Sequence, residues 1–75
     1  MGLQRHSGES VVCRGKVGVL RVDSDGAMVE CDEEGRVVRR SLAGFEISSG
    51  HHGKNARRSV RLLASGVPLG DAAKT

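Results

Sequence analysis

Eight consecutive residues, Lys54-Asn55-Ala56-Arg57-Arg58-Ser59-Val60-Arg61, hold four of the 12 Lys and Arg side chains in this 75-residue sequence. No Asp or Glu occurs from Ile47 to Gly70. The 9 acidic residues lie almost entirely upstream, with Glu30, Asp32, Glu33 and Glu34 forming a cluster that reads as ordinary solvated turn charge. The net charge of +3 is thus unevenly spread. A concentrated cationic segment attracts a phosphate backbone by releasing condensed counterions. Lys54, Arg57, Arg58 and Arg61 fall at i, i+3, i+4 and i+7, which on a continuous helix makes one stripe, whereas a turn to extended chain near Ser59 would break it and take Arg61 from that surface. An amphipathic helix normally gives that stripe to apolar residues. Like charges placed there repel one another by a few tenths of a kcal/mol per pair, a cost that an anionic partner offsets.

The residue types refine the chemistry. An Arg grips phosphate, or guanine O6 and N7, with two parallel hydrogen bonds, whereas Lys54 suits a point contact with phosphate. Asn55 has two readings: a bidentate pair with adenine, or the N-cap of a helix. The whole run also has plainer readings, a solvated face or a surface for an acidic protein. His51 and His52 precede it between two glycines. His52 reads as part of a phosphate-contacting loop or as a residue of no special role. Cys13, Cys31, His51 and His52 would supply the four ligands of a zinc site. However, the cysteines stand 18 positions apart, no CxxC is present, and adjacent histidines rarely share one metal. No metal or other cofactor is expected. No Ser, His or Asp sits in a nucleophile-elbow context, and no glycine run precedes Lys-Ser or Lys-Thr, so an enzyme is not expected.

Phe45 is the only aromatic residue. That excludes a base-stacking surface of the single-strand-binding type, which needs aromatic faces. No stretch approaches the roughly 20 apolar residues of a membrane span. Residues 1–10 lack a signal-peptide core, so the chain reads as intracellular, with Cys13 and Cys31 as reduced, buried small hydrophobes. A disulfide between them remains an alternative.

The elements that must position the basic run change character halfway. Residues 1–9 are polar and read as a flexible tail, with one domain over 10–73 and a short tail at 74–75. Ser10–Cys13 is short and apolar, and Lys16–Val22, Ala27–Cys31 and Arg36–Arg40 read as the three strands of a β-meander. Asp23-Ser24-Asp25-Gly26 and Glu33-Glu34-Gly35 mark turns, Asp-Gly being a strong hairpin dipeptide. Ser41 suits an N-cap for a helix through Ile47, with Phe45 as core anchor. Lys54–Leu63 reads as a second helical segment. Pro68 opens a third through Ala73, since it lacks an amide proton and its φ is preset. Strands followed by helices predict an α+β domain, a twisted antiparallel sheet with short helices on one face.

The order of these motifs resembles the SAND domain, a DNA-binding family whose core is written KDWK, followed by a residue, Ser, an aliphatic residue and Arg. Lys54 matches the first Lys, Asn55 the Asp, Arg57 the second Lys, and Ser59-Val60-Arg61 the tail. Val12-Cys13 with Gly15, Gly18 and Leu20 resembles the family's opening VxCG…GxL. Val29-Glu30-Cys31 sits at its second Cys strand. Gly35, Phe45-Glu46-Ile47 and Gly50 resemble its DG…FEI…G block, and Pro68-Leu69 its last helix. The likeness spans residues 10–73. Ala56 replaces the signature Trp, the first hairpin is shorter than in animal members, and Val37 stands where an aromatic is usual. These departures resemble the divergent SAND domains of green-algal developmental regulators of the RegA-like group. The resemblance implies a nuclear transcription or chromatin regulator. Its KDWK surface, here Lys54, Asn55, Arg57, Arg58 and Arg61 with His52 alongside, would meet double-stranded DNA in the major groove, with chromatin or corepressor proteins as further partners. Some members lack the KDWK residues and serve in protein interaction. A small β-rich RNA-binding module, acting through Arg36, Arg39 and Arg40, is a third reading.

Overall fold

Val11, Cys13, Leu20, Val29 and Cys31 are buried while the residues on either side of each are not, and that period of two lets one face of a sheet turn inward. In the computed structural model, which describes residues 2–50, 53 and 55–74, they do so on three adjacent strands. The strands are β1 (Ser10–Cys13), β2 (Lys16–Asp23), β3 (Gly26–Glu33), β4 (Arg36–Ser41) and β5 (Arg61–Leu62). They form one antiparallel sheet in the order β4-β3-β2-β1-β5. Three short helices complete the α+β fold: α1 (Leu42–Ser48), α2 (Ala56–Ser59) and α3 (Leu69–Ala72).

The hairpin loops follow their sequences. Arg14-Gly15 and Glu34-Gly35 are two-residue loops with φ of 49° and 83°, and of 54° and 81°. Two positive φ angles in a row are what a type I′ turn needs, and its twist matches that of the flanking strands. The turn expected over Asp23-Ser24-Asp25-Gly26 forms there. Asp23 pairs with Gly26, so Ser24-Asp25 make the loop, and the Asp23 carboxylate accepts from the Asp25 amide at 2.8 Å.

The core lies between this sheet and the helices. Ser41 is the N-cap of α1 as expected, its Oγ accepting from the Gly44 amide at 3.0 Å. The cap directs Phe45 onto the sheet, where it is completely buried. The ring needs room, and Gly18 provides it. A Cβ built on Gly18 would lie 2.5 Å from Val29 Cγ1, 2.9 Å from the Glu30 carbonyl and 3.3 Å from Phe45 Cε1. Cys13 and Cys31 are buried free thiols. Burial, followed by the hydrogen bond to Glu33, pushes the Cys31 thiol up, which keeps it protonated.

At the rim of this core, β2, β3, β4 and α1 are tied by charge. Arg40 grips the Glu33 carboxylate with Nε and Nη2 at 2.7 and 2.6 Å. Lys16 Nζ donates to the same carboxylate at 2.6 Å and to Ser48 Oγ of α1 at 2.9 Å. The same ammonium lies 5.9 Å from the Phe45 ring centroid, within cation–π range. On the opposite face, Glu30 accepts from Arg39 at 2.8 Å and Arg21 at 3.0 Å. The acidic cluster expected as solvated turn charge therefore neutralises four cations of the sheet. Alternation along β3 sends Glu33 to the core face and Glu30 to the outer face, each opposite basic strands.

Residues 2–9, expected to trail as a tail, pack on the domain instead. Gly2–His6 form a 3-10 helix that buries Leu3 in the core. Gly8 N donates to the Leu20 carbonyl at 2.7 Å, and Leu20 N to the Glu9 carbonyl at 2.9 Å. A single apolar side chain, too small a signal to stand out among polar neighbours, anchors the segment.

Two outcomes test this packing. Gly18→Ala should destabilise the domain by about 1–3 kcal/mol, because β-strand backbone and a buried ring cannot both yield. Urea unfolding measures it, and unchanged stability would show that Phe45 does not rest on Gly18. The second test concerns pH. The Arg40 and Lys16 hydrogen bonds hold the Glu33 carboxyl well below its ordinary value of 4.5. Their contribution is complete above that value and shrinks as pH falls below it, because the unfolded chain then binds protons the folded one does not. Thermal stability should decline on acidification from about pH 5 to pH 2, and less steeply in Glu33→Gln.

Candidate functional site

The basic run does not form one helix. Helix α2 spans only Ala56–Ser59. Val60 then turns extended (φ −87°, ψ 126°), and Arg61–Leu62 pair with Val12 and Val11 of β1. The reason is burial. Val60 and Leu62 enter the core while Arg61 between them stays exposed, a period of two that only an extended strand satisfies. The four-cation helical stripe is therefore broken after Arg58. Lys54 and His52, named with it from the sequence, lie outside the described residues, as does His51.

The chain nonetheless brings the remaining basic residues together by tertiary folding. After β5 it turns back, with Gly66 N donating to the Leu62 carbonyl at 2.8 Å and Leu62 N to the Val67 carbonyl at 2.9 Å. Pro68 starts α3, and Leu69 N donates to the Val60 carbonyl at 3.0 Å. Helix α3 thus lies against α2 at Gly70, where an added Cβ would be 3.5 Å from the Arg57 Cβ and carbonyl oxygen. Between them opens a concavity of about 400 Å³, lined by Asn55, Arg57, Arg58, Arg61, Pro68, Gly70, Asp71 and Lys74. Three elements supply its cations: Arg57 and Arg58 from α2, Arg61 from β5, and Lys74 from the turn after α3.

The electrostatics of this hollow differ from those of the sheet. Lys16, Arg21, Arg39 and Arg40 are each ion-paired. Arg57, Arg58, Arg61 and Lys74 are exposed and form no ion pair among the described residues. Arg61 is steadied by its own turn, Nη1 donating to the Gly66 carbonyl at 2.9 Å. That leaves the rest of its guanidinium fork to face outward. Asn55 occupies the N-cap position of α2, but its side chain makes no capping hydrogen bond. The two sequence readings of Asn55 are separated here: the amide lies in the hollow, unspent on the helix. Ala56 instead packs against the core.

No family model, curated protein or solved structure matches this chain. The site stands on its own geometry.

Sequence reasoning missed Lys74 and Asp71. They follow the end of the basic run by 13 and 10 positions, and only the return of the chain at Pro68 and the missing side chain of Gly70 bring them alongside it. Among the described residues, no group of three or more His, Cys, Asp or Glu side chains gathers where a metal ion could be held. Nor is any of their helices long and apolar enough to cross a membrane.

Because the Asn55 side chain caps nothing, Asn55→Ala should leave the melting temperature almost unchanged. A working N-cap would cost about 0.5–2 kcal/mol on the same substitution, a loss that thermal unfolding followed by circular dichroism would reveal.

Proposed function

We propose that this chain is a double-stranded DNA-binding module of a nuclear transcription or chromatin regulator, and that the hollow between α2 and α3 is its DNA contact. One observation carries the reading. Arg57, Arg58, Arg61 and Lys74, none of them ion-paired among the described residues, converge from α2, β5 and the end of α3 on one concave surface, while Lys16, Arg21, Arg39 and Arg40 of the sheet are already paired. Unpaired, converging arginines bind phosphate and base edges at little desolvation cost, and they fix register on a duplex. The collinear motifs that resemble the SAND domain point the same way, with Asn55, Arg57 and Arg61 at its signature positions. Lys54 and His52, outside the described residues, are included in the proposed contact on sequence grounds alone. The absence of aromatic stacking residues favours duplex over single strands.

A protein-interaction module is the second reading. Val17 and Val37 are 49% and 73% exposed on the outer face of the sheet and line a shallow groove beside Glu30 and Asp32. RNA recognition through Arg36, Arg39 and Arg40 has less support, since two of these three already neutralise Glu30 and Glu33.

If Arg57, Arg58, Arg61 and Lys74 each meet a phosphate, the logarithm of affinity should fall against the logarithm of salt with a slope of about −3 to −4. Fluorescence anisotropy with a random-sequence duplex measures this. The double substitution Arg57→Glu and Arg58→Glu should abolish binding. Binding that ignores salt, or survives the double reversal, would transfer the function to the outer face.

A further inference from the structure

The hollow contains one group that a pure phosphate site would exclude. Asp71 lines it together with three arginines and a lysine, yet its carboxylate forms no ion pair or side-chain hydrogen bond among the described residues. It is exposed on α3, its backbone amide donating to the Pro68 carbonyl at 3.0 Å and its carbonyl accepting from Lys74 N at 3.1 Å. Its place is set by the packing of α3 on α2 at Gly70, not by a contact of its own.

We propose, resting on the DNA-binding reading, that Asp71 is a specificity residue of this surface. A free carboxylate beside arginines repels phosphate oxygens and weakens contact with every duplex alike. It also accepts a hydrogen bond from an exocyclic amine, which in the major groove belongs to cytosine N4 or adenine N6. The neighbouring arginines favour guanine O6 and N7. An acid and an arginine side by side therefore suit the two edges of a G·C pair. Discrimination of this kind works by penalising the wrong partner as much as by rewarding the right one. The residue gives up general affinity for preference.

Asp71 also sits in the first turn of α3, where a negative charge favours the helix. A purely structural role and the proposed one predict different results. The experiment compares the wild-type chain with Asp71→Asn in two measurements, anisotropy with a random-sequence duplex pool and sequencing of the duplexes that the protein retains from that pool. Glu34→Gln, in the β3–β4 turn outside the hollow, changes the net charge equally and serves as control. Asp71→Asn should bind the pool about three- to fivefold more tightly, the size expected for one exposed like-sign charge pair. It should also flatten the base preference at one position of the retained sites, and Glu34→Gln should do neither. Equal tightening by both variants, an unchanged base preference, or weaker binding together with a lower melting temperature would overturn the role of Asp71 while leaving DNA binding intact. A wild-type chain that binds no duplex would overturn both.

Discussion

The contact between Phe45 and Gly18 governs the rest of the structure. One aromatic ring has to fill the space between a sheet and three helices of at most seven residues, and it can approach the sheet only where a side chain is missing. Gly18 sits on the core face of β2, beside Val11 of β1. With Phe45 seated there, α1 must cross the middle of the meander, and Ser48 at its end comes within reach of Lys16. The Lys16–Glu33–Arg40 cluster then fastens three strands to that helix. Small domains bury little surface relative to their size, so a rim of half-buried charge can supplement a thin core here. The geometry suits it, since a bidentate arginine and a lysine share one carboxylate.

The same charges divide the molecule electrostatically. Glu30 and Glu33 each hold two cations, so the sheet presents little uncompensated charge along its centre. The α2–β5–α3 end has one carboxylate in the hollow among four cations. A modest net charge thus conceals a local field, and local field rather than net charge steers a polyanion.

Much of this was legible in the sequence, for identifiable reasons. Strands β2, β3 and β4, the capped helix α1 and the buried Phe45 rest on short-range rules: alternation, paired glycine turns and a serine before an apolar run. The basic run was legible as chemistry but not as shape. Counting i, i+3, i+4 and i+7 treated Arg57, Arg58 and Arg61 as a helical stripe, whereas Val60 and Leu62 flanking Arg61 already carried a period of two. Core burial decided between the two periods. Leu3 was hidden for the opposite reason, as a lone apolar residue in a polar segment with no periodicity to report it. Lys74 and Asp71 required knowledge of where α3 returns, which depends on tertiary contact at Gly70.

The pairing of β5 has a consequence for how the domain opens. Strands β1 to β4 close short loops and are held along their lengths, so their contacts are local and form readily. Strand β5 is held to β1 through only two residue pairs, Val11 with Leu62 and Val12 with Arg61, across an intervening chain that must first be ordered. The β5–α3 end is accordingly less costly to detach than the centre of the sheet, and its amide protons should exchange with solvent ahead of those in β2 and β3. Arg61 belongs to that detachable strand, while Arg57 and Arg58 belong to the helix before it. An anion bridging them would tie the loose end to its neighbour, so occupancy of the hollow and protection of β5 from exchange are one equilibrium seen from two sides.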